Sequence, residues 1–322
     1  MKKLLLIIIS LCFLTGCYNY NELEDLSVVS SMIIDYQDDN YLISLEVYDN
    51  KKTIYYDGSG KSISDALESI LLSNEKKVYL SHMNAVLFTK NVKVKPMVDY
   101  FLREPTTNNT FYFVLSETND IYKEKDIDLG KKIFKILKRN NVFNFSKLLE
   151  IIYNDTKDII IPYLSESGEI ESGYIFKDNK PIHEVSYDYV ETYKLLDNID
   201  GSNFISNNIE IDVTNANTKI KLKDNKFIID VKVTATVLEN NKYDLNNNNH
   251  LVIVQDTLNE HIKGEINKLL DVLIEYDSDI FGFETMIVNK YKVKKDWSHF
   301  KFDINVNTHI NKKGLLKSWK IK

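Results

Sequence analysis

The first 17 residues constrain the fold most, because they decide which part of the chain remains to fold. Met1, Lys2 and Lys3 form a short positive segment, and residues 4–14 that follow are almost wholly apolar. About eleven apolar residues match the core of a cleaved export signal, whereas a helix that spans a bilayer needs about 20. The opening therefore predicts a signal peptide, although a short buried strand has a similar composition.

The apolar run ends in Leu14-Thr15-Gly16-Cys17, which is similar to a bacterial lipobox. In such a motif the cysteine thiol becomes a thioether to diacylglycerol, and the chain is cut just before the cysteine. We therefore expect Cys17 to be the lipid attachment site and to carry fatty acyl chains such as palmitate. Two acyl chains give stable anchoring, because a single chain binds a membrane only marginally. An ordinary signal peptide without lipid is the alternative.

Cysteine usage then limits how the mature chain is stabilised. Cys12 and Cys17 are the two cysteines of the sequence. Removal of Cys12 with the signal and lipidation of Cys17 leave no free thiol, disulfide or thiolate metal ligand. The hydrophobic core alone must therefore hold the exported body. A chain of 322 residues exceeds one small core, which favours two or three domains.

The charge of the chain excludes some partners. The formal net charge is −6, and loss of Lys2 and Lys3 with the signal makes it −8. An acidic body argues against nucleic acid binding and against broad adhesion to anionic lipid.

Periodicity predicts a mixed α/β block in the first third of the chain. Ser62 is expected to cap a helix with Asp65, three residues on, and the apolar face of that helix includes Leu71. The other predicted elements are strands at 41–48, 78–88 and 110–115 and a short helix at 96–102. Residues 120–139 are charged and helical in pattern, and Ser146 is expected to cap a further helix that ends at Tyr153.

The remaining sequence predicts short strands, then a helix on an antiparallel sheet. Strands are expected at 159–162 and 173–176, followed by a turn at 177–180 and a helix at 189–196. Apolar and polar residues alternate at 209–213 and at 229–237, which predicts two neighbouring antiparallel strands. The apolar residues at 302–306 predict a last strand. After a polar loop at 246–249, apolar residues at helical spacing predict a long helix over 256–275.

These elements together predict an α+β fold with about three mixed α/β domains, each a sheet with packed helices. We expect a lipoprotein signal peptide at 1–16, an N-terminal α/β domain at 17–118 and a small middle domain at 119–198. A C-terminal α+β domain, with its long helix on the antiparallel sheet, is expected at 199–322.

The sequence contains no recognisable catalytic, cofactor or metal motif. Six histidines occur, and none has the spacing of a zinc-binding His-x-x-x-His pair. Residues 57–62 have only a faint likeness to a phosphate loop, and Glu22 and Glu24 suit a solvated surface. His82 beside Ser81 suggests a hydrogen-bonded histidine of a strand more than a nucleophile and base, since adjacent strand residues point to opposite faces. We therefore expect no catalytic residue, cofactor or metal.

Two further segments suggest structural roles. Arg103 and Glu104 follow a predicted helix and suit a cap or an ion pair. Residues 279–283 suggest a tight turn at Gly282 that buried phenylalanines hold in place.

Several phrases, in order along nearly the whole chain, resemble the Ger(x)C family, the C subunits of spore germinant receptors. These phrases are residues 18–26, 60–67, 80–84, 99–105, 173–176 and 279–284, followed by Trp297. The sequence departs from the family pattern at Tyr18, where Trp is usual, and at Glu284, where Gly is usual.

The resemblance implies three α/β domains and a non-enzymatic lipoprotein of the spore inner membrane that works beside two integral membrane subunits. A solute-binding lipoprotein that delivers a nutrient to a transporter is the alternative, and a cell-envelope hydrolase is a third possibility. A solute-binding protein would have one large cleft between two lobes.

Overall fold

The computed structural model describes residues 26–49, 52–108, 110–117, 129–139, 144–145, 148–149, 158–165, 168–178, 180–199, 201–206, 208–240 and 242–312. The first elements are β1 (Leu26–Gln37), β2 (Asn40–Asp49), β3 (Lys52–Gly60), α1 (Ile63–Ser73), β4 (Lys77–Tyr79), β5 (Ala85–Phe88), α2 (Val94–Arg103), β6 (Tyr112–Ser116) and α3 (Leu129–Arg139). The later elements are β7 (Ile159–Leu164), β8 (Ile170–Lys177), β9 (Lys180–Ser186), α4 (Tyr187–Leu196), β10 (Asn203–Ser206), β11 (Ile209–Lys223), β12 (Lys226–Asn240), α5 (Asn248–Glu275), α6 (Phe283–Tyr291), a 3₁₀ turn (Trp297–His299) and β13 (Lys301–Lys312).

A nine-stranded sheet contains β1 to β9 in the order β3-β2-β1-β5-β6-β7-β8-β9, with β4 also paired to β1. Strands β1, β5, β6 and β7 are parallel, and the outer pairs on both sides are antiparallel. Because β1 lies inside this sheet, it is buried on both faces, and residues 29–35 form an unbroken buried run.

The large sheet has a hydrophobic core on each face. Neighbouring residues alternate between the two cores, as Ile33 and Ile34 of β1 do. Helices α1 and α2 cover the core that contains Ile34. Helices α3 and α4 cover the other core, which is continuous with that of the second sheet.

The second sheet has the order β10-β11-β12-β13. The predicted antiparallel pair is confirmed as β11 and β12, and β13 pairs with β12 in parallel. The apolar stripe of α5 packs into the same core as the inward residues of β12, among them Val231 and Val233. Helix α5 begins eight residues before the predicted start, at Asn248, because the side chain of Asn247 accepts a hydrogen bond from the Asn249 backbone and caps the helix.

The α+β class is confirmed, and most predicted elements are present. The capping box between Ser62 and Asp65 forms as expected. The prediction of a single strand at 78–88 was wrong. A turn after Leu80 separates β4 from β5, and the backbone N–H of Asn84 donates a hydrogen bond to the Ser30 carbonyl. Leu71, which was expected on the buried face of α1, is 47% exposed.

The middle segment joins the large sheet. Strands β7, β8 and β9, which fall in the expected domain 119–198, pair onward from β6 without a break in the sheet. The domain boundaries at 118 and 198 stay predictions. Most of the helix expected from Ser146 to Tyr153 lies outside the described residues. None of the described helices is long and apolar enough to cross a bilayer.

Candidate functional site

The segment that resembles the family signature caps α6. The carboxylate of Asp279 accepts hydrogen bonds from the backbone N–H groups of Phe283 and Glu284, both at 2.8 Å. Gly282, directly before Phe283, has φ +75°, a left-handed conformation that favours glycine. The tight turn predicted there is therefore present. Burial raises the pKa of Asp279, although the backbone hydrogen bonds act in the opposite direction.

Asp158 connects this turn to the large sheet. One oxygen of its carboxylate accepts hydrogen bonds from the Ser278 hydroxyl at 2.9 Å and from the Asp279 backbone at 3.0 Å. Its own N–H donates to the Asp279 carbonyl at 3.1 Å. Burial raises the pKa of Asp158. Since Asp158 directly precedes β7, these bonds fix the start of α6 against the large sheet.

Side-chain contacts extend the same junction. His183 of β9 stacks on Tyr276 at the end of α5, with ring centroids 3.8 Å apart. Tyr193 of α4 meets Phe281 edge to face at 5.9 Å. The Lys177 ammonium pairs with the Asp277 carboxylate at 2.7 Å. The junction between the two sheets is therefore packed and hydrogen-bonded at these residues.

Aromatic rings hold α6 on the second sheet. Phe283, at the start of α6, is fully buried, and its ring centroid lies 4.5 Å from Phe227 of β12 and 5.1 Å from Trp297. The phenylalanines beside Gly282 were predicted to hold the turn in place, and Phe283 does so within an aromatic cluster that also includes Phe302 of β13.

A surface groove of about 310 Å³ lies between the start of α1 and the helix α2. The groove is lined by Tyr41, Ser62, Ile63, Ser64, Pro96, Asp99, Tyr100, Arg103 and Glu104. Arg103 donates two hydrogen bonds to the carboxylate of Asp99, at 2.9 and 3.0 Å, which is the ion pair expected of a helix end. This pair lowers the pKa of Asp99.

Glu104 closes the end of α2. Its carboxylate accepts hydrogen bonds from the backbone and hydroxyl of Thr106, at 3.1 and 2.6 Å, and from the Tyr100 hydroxyl at 3.3 Å. Burial raises the pKa of Tyr100.

The histidine prediction at 82 was wrong in two respects. His82 lies in the turn between β4 and β5 rather than in a strand, and it is exposed rather than held inside the domain. Its ring contacts that of Tyr79 at 5.8 Å. The adjacent Ser81 hydroxyl donates to the Thr106 carbonyl at 2.5 Å, so it stabilises the loop after α2.

The segment 57–62, with its faint likeness to a phosphate loop, forms the end of β3 and the cap of α1. A Cβ atom added at Gly58 would lie 2.3 Å from the Ala66 carbonyl, and one at Gly60 would lie 2.4 Å from the Ala66 nitrogen. These glycines therefore allow α1 to pack directly against β3.

The expected lipid site, Cys17, lies outside the described residues, as do Glu22 and Glu24. Within the described part of the chain, no three histidine or carboxylate side chains are grouped so as to hold a metal ion.

Sequence reasoning missed a buried ion pair on α4. The side chains of Lys194 and Glu191 are 0% and 5% exposed, and their charged atoms lie 3.1 Å apart. Lys194 also donates to the Gly201 carbonyl at 3.0 Å, and the Asn203 backbone donates to Glu191 at 2.8 Å. Burial lowers the pKa of Lys194. The i,i+3 spacing was a signal for the pair, but its burial depends on β10, which lies beyond the helix.

Comparisons with known proteins agree along the length of the chain. Residues 19–166 match the spore germination protein N-terminal domain, and residues 171–314 match the spore germination B3/GerAC-like C-terminal domain. The chain is 22% identical to spore germination protein KC of Bacillus subtilis, over 96% of this chain and 95% of that protein. It is 21% identical to spore germination protein GerQC of Bacillus cereus, over 98% and 99% of the two chains.

A solved structure has the same fold. The crystal structure of the GerBC protein aligns with a TM-score of 0.51 at 15% identity, over 87% of this chain and 96% of that one. The chain therefore belongs to the Ger(x)C family of spore germination proteins.

Proposed function

We propose that this chain is the C subunit of a spore nutrient germinant receptor, a non-catalytic lipoprotein needed for receptor assembly and for the triggering of germination. The observation that carries this proposal is the match to both domains of the family, in order, from residue 19 to residue 314. Three curated relatives that are called spore germination proteins cover 91–98% of this chain, which supports a common role for the whole protein.

The junction between the sheets also favours this role over solute delivery to a transporter. A solute-binding protein holds its ligand in a cleft between two lobes, so the facing surfaces must open to solvent. Here Asp158 bonds to Ser278 and Asp279, and His183 stacks on Tyr276, so these facing surfaces are in contact. The groove of about 310 Å³ lies instead between α1 and α2, on one face of the large sheet.

We further propose that Cys17 carries the lipid and places the protein on the extracytoplasmic face of the spore inner membrane. Its partners there are the integral membrane subunits of the same receptor. No cofactor enters this proposal, because the role consists of anchoring and contact between proteins.

Deletion of the gene tests the proposed role. Spores without the gene should fail to germinate with the nutrients that this receptor detects, and a wild-type copy should restore the response. Germination by a non-nutrient route should stay normal in the mutant. Normal nutrient germination in a strain that lacks sister receptors would contradict the proposal.

Replacement of Cys17 tests the anchor separately. Cys17→Ala should leave the signal uncut or release the protein from membranes, whereas Cys12→Ala should be processed normally, because Cys12 leaves with the signal. Processing and membrane fractionation of both variants give the result. A Cys17→Ala protein that is cut at the normal site and stays in the membrane after a high-salt wash, which removes protein held only by surface charge, would rule out lipid anchoring at this residue.

Purification in mild detergent tests the partners. The integral membrane subunits should be recovered with this protein, and repeated recovery of the protein alone would argue against a stable receptor complex.

A further inference from the structure

One end of the second sheet is rich in lysine. The two segments that form it, 219–226 and 290–301, are here called the basic end; they comprise the turn between β11 and β12 and the chain from the last turn of α6 to the start of β13. Its nine lysines are all exposed: Lys219, Lys221, Lys223, Lys226, Lys290, Lys292, Lys294, Lys295 and Lys301.

The two segments of the basic end form one surface. Lys290 donates to the Leu222 carbonyl at 2.9 Å, and the Tyr291 hydroxyl donates to the Asn225 side chain at 2.9 Å. Lys226 and Lys301 are direct neighbours in the register of β12 and β13. These hydrogen bonds and the strand register therefore hold the two segments together.

Positive charge dominates the basic end even after its acidic neighbours are counted. Asp224 and Asp296 lie within the two segments. Asp230 pairs with Lys221 at 3.7 Å, and Glu284 pairs with Lys294 at 3.1 Å. Asp303, exposed on β13 two residues after Lys301, is a fifth carboxylate. Nine lysines against these five carboxylates leave an excess of four positive charges on a chain whose net charge is −6. Charges beyond about 8 Å are screened at physiological salt, so a local excess can attract anions despite an acidic body.

An exposed apolar residue lies among the lysines. Val293 is 49% exposed, and Lys292 and Lys294 flank it. The ammonium groups of Lys290 and Lys295 lie 5.3 and 4.8 Å from the ring centroid of Tyr291. Lysine, aromatic and aliphatic side chains together suit the boundary between water and lipid headgroups.

Helix α6 links the basic end to the end of the large sheet at which β1 begins. Strands β1 and β7 run in the same direction through β5 and β6, so both begin at that end. Asp158, which precedes β7, bonds to Ser278 and Asp279 just before α6. The nine residues of α6 span about 13 Å and end at the basic end.

The tether to the lipid is short. Eight residues separate Cys17 from the start of β1 at Leu26, and the nine steps between the two reach at most about 30 Å. A body on such a tether stays close to the bilayer, so a surface near the tether can touch the headgroups. This step rests on the anchoring proposed above.

Helix α3 is a second lysine-rich element, and it packs against the half of the large sheet in which β1 begins. A Cβ atom at Gly130 of α3 would lie 2.3 Å from the Ser30 carbonyl, so α3 begins against the first half of β1. The ring of Phe134 contacts that of Tyr112 of β6 at 5.7 Å. Exposed lysines of α3 at positions 131, 135 and 138 therefore add positive charge near the tether.

We propose that the basic end docks onto anionic phospholipid headgroups and sets the orientation of the body on the membrane. The lysines attract the phosphates, and Val293 and Tyr291 enter the headgroup region between them. Lipid on Cys17 supplies attachment in this arrangement, and the basic end supplies orientation.

Vesicle binding by the unlipidated mature chain, residues 17–322 with Cys17→Ser, tests the docking apart from the anchor. The protein should sediment with phosphatidylcholine vesicles that contain phosphatidylglycerol and should stay in solution with phosphatidylcholine alone. High salt should release it, because surface charges are then screened. Equal binding to both vesicles, or binding to neither, would overturn the proposal.

Two triple variants make the test specific. Lys219→Gln with Lys223→Gln and Lys226→Gln removes three charges from the basic end, and each lost lysine should weaken binding roughly fivefold. The control, Lys93→Gln with Lys232→Gln and Lys242→Gln, removes three exposed lysines that lie away from the basic end and from the start of β1, and it should bind like the parent. Both should melt like the parent protein, because all six side chains are exposed.

Equal losses in the two triple variants would overturn the proposal in favour of net charge. A further result would reassign the surface. If the first variant binds vesicles normally but no longer recovers the integral membrane subunits from detergent, the basic end contacts an acidic protein surface instead of lipid. Failure of Cys17→Ala to release the protein would bear on the anchor alone, since the vesicle assay contains no lipidated chain.

Discussion

The packing of α5 on the second sheet makes a quantitative prediction. Leu269 has no exposed surface and belongs to the stripe of α5 that shares a core with Val231 and Val233 of β12. Leu269→Ala removes buried methyl groups and leaves a cavity, which in protein cores costs about 2–5 kcal/mol. A domain is stable by only about 5–15 kcal/mol, so this loss is a large fraction of the total.

Thermal melting of the unlipidated mature chain measures the effect. Unfolding gains about 2.1 cal/mol/K per residue, so in a mature chain of 322 − 16 = 306 residues 1 kcal/mol shifts the melting temperature by about 1.6 °C, and Leu269→Ala should lower it by about 3–8 °C. Asp271→Ala is the matched control, because Asp271 is exposed on the same helix two positions on. A surface change of this kind stays within about 0.5 kcal/mol. Equal melting temperatures for the two variants would refute the burial of this helix face.

Two further predictions concern glycine packing and the junction. Gly58→Ala should destabilise the protein by about 1–3 kcal/mol, because the new Cβ would lie 2.3 Å from the Ala66 carbonyl. Gly264→Ala in α5 is the control and should stabilise the protein by about 0.5–1 kcal/mol, since no atom lies within 4 Å of the added Cβ. If Gly58→Ala does not lower the melting temperature relative to Gly264→Ala, the close packing of α1 on β3 is contradicted. Burial raises the pKa of Asp279 in the folded protein above its value in the unfolded chain. Its protonated form therefore stabilises the fold fully below the unfolded pKa, and this stabilisation is lost as pH rises through the folded pKa. The stability of Asp279→Asn should therefore depend less on pH across that acidic window than the stability of the parent, and identical pH profiles of melting temperature would exclude a titrating Asp279.

The elements that sequence reasoning located correctly are those whose signal is local. The capping box of Ser62 and Asp65 is complete within four residues, so the start of α1 was predictable. Alternating burial in β11 and β12, and the apolar stripe of α5, repeat with the period of the element itself. Gly282, between two phenylalanines, likewise indicated its turn.

The errors fall where a partner distant in sequence decides the outcome. The run 78–88 is apolar enough for one strand, but β4 pairs with the first residues of β1 and β5 with later ones, so the chain turns between them. Leu71 continues the apolar pattern of α1 and yet lies beyond the surface that the sheet covers.

The sequence by itself determined the family and the α+β class and most of the faces that its helices and strands bury, because each family phrase and each period is local; lipid attachment at Cys17 stays a prediction of the same kind. The tertiary structure alone decided that β7, β8 and β9 extend the first sheet, that Asp158 bonds to Asp279, and that the lysines of 219–226 and 290–301 form one surface. Hydrogen bonds and packing between segments some 70 to 120 residues apart set these arrangements. The local periodicity of a sequence does not predict which distant segments will make contact.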